Sequence, residues 1–481
     1  MTTTTATNRI PLLPSDIIHA IVDIIALDFD TENLDLDVQH DRRLQREYQS
    51  KDLLSLRAVC REFCWIASPR AFRTLRLTYT LKSIAGFLEI MHSPWIKHGV
   101  QSVKYQYWNP GQMGRFVSFP VSDIYVVAVP ADYHRYEKPS GDDVSERENS
   151  AEIRPQLSHA LSRLHEFPAL RSLSIRFGEN SPRITNLDRI RDDLSSILDA
   201  LLSLSATLAR PLESLSLSRL PPIHLEQYDT PAFLALRANL SLFDVNLAGT
   251  ESWSEIVTPP LPPGMLSPCE PFFQITMPGR FLPQPSAATG LANLEALALC
   301  FSDHVGVFYF AHKFGELRFP RLRALRLQHV QFSVACDAEN FVLRHAETLL
   351  ELHLLHCQVA VASYDDEAAG ANTPGNVGSY SIHWPPPVPR PWSKIYNELT
   401  TKLERLVFLD VQDPWWISFP DRYVAYSPLE MMQILEQGVE SDRIALEEFR
   451  DAVKGRAIQS PAEYERELFS VRPIIADTDE I

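Results

Sequence analysis

The chain has 481 residues, 45% hydrophobic and 10% aromatic, with 61 acidic against 45 basic side chains for a formal net charge of -16. That apolar fraction excludes a wholly disordered acidic chain, and the length suits several domains or one elongated repeat domain with a small partner. The acidity argues against general affinity for nucleic acid or anionic membranes, because both need dense Lys and Arg.

The longest apolar runs, AIVDIIAL and YVVAVPA, are broken by Asp23 and Pro130 and fall far short of the roughly eighteen residues of a membrane span. The start, MTTTTATNRIPLLP, lacks a cationic region followed by a long apolar one, so no secretion signal is expected and the chain is placed in the cytoplasm or nucleus. Cys60, Cys64, Cys269, Cys300, Cys336 and Cys357 are too few and too scattered for a disulfide framework or a paired zinc site.

In chain order, residues 1–9 are expected to be disordered. From Leu13, LPSDIIHAIVDIIAL reads as a helix with Ser15 or Asp16 as its cap, and Ile17, Ile18, Ile21, Val22, Ile24 and Ile25 cover more than one face. Residues 28–50 carry seven acids and three bases and read as a solvated insertion. In KDLLSLRAVCREFCWIASPRAF, Leu53, Leu56, Val59, Cys60, Phe63 and Ala67 recur at three- and four-residue steps, predicting a second amphipathic helix ended by Pro69.

These two segments resemble the F-box. Leu13, Pro14, Ile17 and Ile18 match its first half, and Asp52, Leu53, Leu54, Leu56, Val59, Cys60, Phe63 and Ala67 its second. Phe63 stands where Trp is commoner, and the 28–50 insertion replaces a short turn.

Beyond residue 72 the chain repeats itself. Six-residue cores of Leu-x-x-Leu-x-Leu type have their fourth positions at 75, 103, 173, 215, 243, 297, 325, 352 and 406. Four of the steps are 27 or 28 residues, and two of 54 read as doubled periods. The spacing resembles leucine-rich repeats, with period-2 strands alternating with helical stripes. One such stripe is Leu187, Ile190, Leu194, Ile197, Leu198, Leu201 and Leu208, with Asn186 as a candidate cap. Segments 131–155, 250–290 and 362–392 read as interruptions, the second holding nine prolines between Pro259 and Pro285. A last helical segment from 427 is expected to cover the final repeat's apolar edge.

The expected fold is therefore α/β: a helical F-box over 10–72, a degenerate leucine-rich-repeat solenoid of parallel strands and helices over 73–426 with long Pro-rich loops, and a helical cap with an acidic tail over 427–481.

No phosphate-binding loop, nucleophile elbow, HExxH helix or dinucleotide fingerprint is present, so no catalytic residue, cofactor or enzyme activity is expected. His353, His356 and Cys357 do not share a strand face, so no metal site is expected there. The triplet Asp365, Asp366 and Glu367 reads as a solvated loop. In WPPPVPRPW, residues 384–392, a polyproline ligand for an SH3 or WW module is less favoured than a rigid loop packed by its own tryptophans.

The positions between the repeat leucines are expected to line an open face. Its early rows are small and polar. Its later rows place Arg326, Gln328, Glu351, His353, Leu355 and Arg405 as the candidate substrate contacts, an Arg-plus-apolar mixture suited to a protein partner. The alternative is that long loops fold over this face.

The whole resembles F-box proteins with a leucine-rich-repeat-like C-terminal domain, a set abundant in filamentous and mushroom-forming fungi. The resemblance implies docking on a Skp-type adaptor, and through it a cullin ubiquitin ligase, by Leu13, Pro14, Ile17, Ile18, Ile21, Leu53, Leu56, Val59, Cys60 and Phe63. The repeats would then hold a protein substrate. A non-enzymatic repeat scaffold unconnected with ubiquitin is the alternative. Residues 51–76, with six bases against two acids, are the basic exception in an acidic chain.

Overall fold

Among the described residues, nine parallel strands lie side by side in chain order. They are β1 (Thr74–Thr78), β2 (Ser102–Gln106), β3 (Ser172–Arg176), β4 (Ser214–Leu220), β5 (Leu242–Leu247), β6 (Ala296–Val305), β7 (Ala324–Phe332), β8 (Glu351–Leu355) and β10 (Phe408–Gln412). The short strands β9 (Gln358–Ala360) and β11 (Tyr423–Val424) pair with each other, and β9 also with the end of β7. The computed structural model describes residues 14–27, 53–106, 143–177, 187–205, 207–208, 210–248, 272–282, 291–305, 314, 317–332, 336–360, 390–412, 423–424 and 428–459.

The Leu-x-Leu alternation decides which side of each strand is inside. Leu75 and Leu77, Leu215 and Leu217, Leu325 and Leu327, and their counterparts in other strands all enter one continuous core. Parallel neighbours need a crossover. The helices supplying it include α3 (Leu81–His92), α5 (Asp143–Ser162), α6 (Leu187–Ser205), α7 (Pro231–Ala238), α8 (Ala338–Leu343) and α9 (Trp392–Lys402). In α6, Leu194, Ile197, Leu198 and Leu201 form the buried stripe expected from their spacing.

A backbone ladder precedes the strands. The carbonyl of Arg73 accepts from Gln101 and Ser102, that of Gln101 from Arg171 and Ser172, and so on to Leu350, which accepts from Val407 and Phe408, all at 2.7–3.1 Å. A second recurrent feature follows the strand cores. Arg219, His329 and His356 each sit two residues after an inward leucine with φ of 56°, 54° and 52°. Continued extension would send them inward; the left-handed turn sends them out and buries the next residue, Leu220, Val330 or Cys357, instead. The Cys357 thiol reaches back to the Leu327 carbonyl of the preceding strand at 3.4 Å.

The last helix, α10 (Pro428–Gln459), packs Ala445, Leu446, Phe449 and Val453 into the core at the β10 end. Arg450 donates to the Val411 carbonyl at 2.9 Å, Arg456 to those of Leu403 and Thr400, and buried Asp442 accepts from Ser393 N–H at the start of α9.

Several sequence expectations are corrected. The 54-residue step from β5 to β6 is one crossover, since these strands pair directly, and so it is not a doubled repeat. The last strand pairs Leu409 with Leu352, three residues later than expected. LERLVFLDV contains two overlapping registers; Leu409 and Val411 win the strand positions, and Leu406 is buried in the turn before it. Residues 143–155, read as an interruption, belong to α5 despite Pro155. The expectations for residues 1–9, the 28–50 insertion, Asn186, and the loop residues 250–271 and 362–389, including the acidic triplet, lie outside the described residues; Phe272–Phe281 instead form a π-helix, and Trp392 is buried on Tyr396 and Phe332.

Candidate functional site

Two surfaces answer to the candidate residues. The first is the N-terminal hairpin. Pro14 opens α1 (Ser15–Leu27) with its carbonyl accepting from Ile17 and Ile18 N–H. Ile18 and Val22 pack against Leu53, Ile66 and Ala67 in a small core of their own, separate from that of the sheet, with Leu56, Phe63 and Ala71 half-buried around it.

The expected single second helix is two. A short helical segment over 53–57 ends before Cys60, whose backbone is extended and whose sulfur accepts from Phe63 N–H at 3.5 Å; it thereby caps α2 (Arg61–Ala71). Pro69 lies inside α2 and does not end it. Arg57 lies over the Phe72 ring and donates to Ser68 Oγ at 2.8 Å, tying the first piece to the second. Behind the hairpin, Gly99 is required, because a Cβ there would stand 2.6 Å from the Pro69 Cα.

Of the ten adaptor candidates, Leu13 lies outside the described residues. Ile18 and Leu53 are corrected, since both are consumed by the hairpin's own core. Ile21, Leu56 and Phe63 are half-buried, while Pro14, Ile17, Val59 and Cys60 are exposed. Leu54 joins them, so that Ile17, Leu54 and Val59 are 46%, 44% and 58% exposed. Trp65, which the sequence reading passed over, is equally exposed and meets Trp95 of α4 (Pro94–Lys97) edge-on at 4.6 Å.

The second surface is the sheet face opposite the leucines, and it is divided. Along β1 to β4 every position of this face is at least partly exposed, from Thr74 and Arg76 to Ser216 and Ser218. Along β5 to β8 nearly all are buried, including Asp244, Ala298, Arg326 and Glu351. Three of the six expected substrate contacts are therefore corrected. Arg326, Glu351 and Leu355 are buried, and Gln328 and His353 are half-buried. Arg405 lies in the turn before β10 and donates to the Glu347 carbonyl.

His353 and Glu351 instead hold strands together. His353 on β8 bonds Glu351 Oε1 at 2.6 Å through Nε2 and Asp410 Oδ2 of β10 at 3.3 Å through Nδ1, with Phe408 against its ring. Burial opposes charge on this imidazole, but the hydrogen bonds it donates to the Asp410 and Glu351 carboxylates outweigh it and raise the pKa to about 9. Across the sheet, Asp244 is pushed up to about 6 by burial, while the Ser216 hydroxyl at 2.7 Å and Arg326 pull it back. His353 is thus kept from His356, which turns out at its left-handed position, and from Cys357, which is buried. Among the described residues no three such side chains are arranged to hold a metal ion, and no helix is long and apolar enough to cross a membrane.

Comparison with protein-family models finds no match, and comparison with curated proteins finds none either.

Proposed function

We propose that the chain is a substrate receptor of a Skp-cullin-F-box type ubiquitin ligase, with the hairpin as its F-box and the strand repeats as a leucine-rich-repeat-like solenoid. The observation that carries this reading is the hairpin's self-sufficiency. It satisfies its own small core with Ile18, Val22, Leu53, Ile66 and Ala67 and still leaves Pro14, Ile17, Leu54 and Val59 in solvent. A helix pair that merely capped the sheet would turn its surplus apolar side chains onto the sheet's core. Exposed apolar side chains on motif positions are what an adaptor interface would bury.

In this reading the chain catalyses nothing. It raises the concentration of a bound protein near the ligase. The test is co-purification of a Skp-type adaptor with the full chain and with an Ile17→Glu, Val59→Glu variant, both positions being exposed and so neutral for the fold. Loss of the adaptor from the variant is expected. Equal recovery, or no adaptor with either form, refutes the reading and leaves a non-enzymatic scaffold.

A further inference from the structure

We propose that the free edge of β1, with the groove between it and α3, takes an extended segment of a protein partner in which apolar and acidic residues alternate. The edge and the groove stand on their own observations; that the segment belongs to a ligase substrate rests on the receptor reading above.

The two ends of the sheet are finished differently. At the β10 end, α10 lays Ala445, Leu446, Phe449 and Val453 on the core, and Arg450 donates to the Val411 carbonyl. At the other end β1 is terminal in the strand order, and among the described residues no strand lies beyond it. The Arg73 carbonyl faces β2, where it accepts from Ser102 N–H at 3.0 Å. Backbone groups alternate along a parallel pair, so those of Thr74, Arg76 and Thr78 point away from the sheet. Thr78 is satisfied locally: its N–H donates to Ser83 Oγ at 2.9 Å and its carbonyl accepts from Thr80 N–H at 2.8 Å. Thr74 and Arg76 remain, both exposed, as a short row of main-chain donors and acceptors.

Beside that row lies an open groove of about 450 Å³, lined by Leu75, Phe87 and Ile90 together with Arg76 and Lys82. The apolar three belong to the end of the sheet's core, the place where a repeat stack needs a cap. No acid lines the groove, and among the described residues neither cation is ion-paired. The register then fixes the chemistry of the occupant. A strand added about 4.8 Å from β1 turns alternate side chains to the leucine side, over the groove, and to the side of Arg76. Apolar residues suit the first set and acids the second, and Lys82 at the start of α3 adds to the preference for acids. Main-chain bonds supply affinity, and the alternating side chains supply selectivity. Pairing β1 with β1 of a second copy would instead bring another Arg76 to the same face, and like charges across a strand pair are destabilising.

The experiment is fluorescence anisotropy on the full chain with a short labelled peptide of alternating Leu and Glu. Controls are a peptide of the same composition with its leucines and glutamates in separate blocks, one with Lys for Glu, and two N-methylated at alternate amides in opposite phase. The alternating peptide is expected to bind, and binding should be lost in one N-methylated phase and kept in the other, because only one edge of an added strand pairs with β1. Gly86 also lines the groove, and a Cβ there would have no heavy atom within 4 Å. Gly86→Leu should therefore fill the groove and weaken binding at least tenfold while folding at least as well, since glycine inside a helix is itself unfavourable. Arg76→Gln and Lys82→Gln should each weaken binding about two- to fivefold. Absence of binding, equal binding of the block or lysine peptide, loss in neither N-methylated phase, or unchanged affinity of Gly86→Leu overturns the proposal. So does a dimer in sedimentation that Gly86→Leu dissolves, which would assign the edge to a second copy. Circular dichroism melting checks the fold, and Arg76→Gln with the N-methylated pair decides if Gly86→Leu unfolds. No adaptor is present in this assay, so its failure and that of the receptor reading are distinguishable.

Discussion

His345, in the turn after α8, gives the sheet's C-terminal half a built-in sensitivity to acid. Its Nδ1 donates to the Phe341 carbonyl at 2.8 Å and its Nε2 accepts from Phe319 N–H at 2.9 Å, with the ring stacked on Phe319. The ring must stay neutral to accept at Nε2. Burial holds its pKa down to about 4; the Phe341 bond opposes this, and Arg318 and Arg344 add to it. Between pH 6.5 and 4 an unfolded histidine takes up a proton that the folded ring refuses, so folded stability falls as pH falls. The drop from 6.5 to about 4 corresponds to about 3 kcal/mol at 1.36 kcal/mol per pH unit. Glutamine can accept and donate at the same two places without titrating. Urea midpoints followed by tryptophan fluorescence should therefore show the wild type losing about 1.4 kcal/mol per pH unit relative to His345→Gln below pH 6.5, while other titrating groups cancel in the difference. A gap between the two proteins that stays constant from pH 7.5 to 4.5 refutes the assignment.

Two more outcomes follow from the sheet. His353 has the opposite sign: its folded pKa is raised to about 9, so its contribution is whole below pH 6.5 and is lost as pH rises through 9. His353→Gln should abolish that alkaline loss in the same urea assay while lowering stability at pH 7. In the last strand, Val411→Asp should cost more than about 2 kcal/mol, because it places a charge in the core, whereas Val407→Asp should cost less than about 1 kcal/mol. Losses below about 1 kcal/mol from both substitutions in thermal melts would restore the register based on Leu406, in which both positions face outward.

The alternation in segments such as LRALRL was enough to assign the inward side of the strands, because a period of two leaves only one face for the leucines. In LERLVFLDV that same rule admits two answers three residues apart. Only pairing with β8, which needs Leu409 opposite Leu352, chooses between them. The helical character of α6 was equally legible, and that of residues 143–155 was not, because their charge and Pro155 mask a helix that packs at its far end through Ile153 and Leu157.

Candidate surfaces were harder to read than the fold. Pro14, Ile17 and Val59 could be named from the motif, but the separation of these exposed residues from buried Ile18 and Leu53 depends on which face of α1 meets the segment over 53–57. Arg326, Glu351 and His353 suggested a protein contact by residue type alone; burial turned them into internal braces between strands.

The sequence by itself determined the alternation of helices with strands, the repeat and, outside LERLVFLDV, the inward face, all of them set by local periodicity. Tertiary structure alone decided that the face opposite the leucines divides after β4, leaving its positions on β1 to β4 at least partly exposed and burying most of those on β5 to β8. The physical reason is that exposure belongs to the packing of distant segments: two rows with the same alternation differ only in what the rest of the chain lays over them.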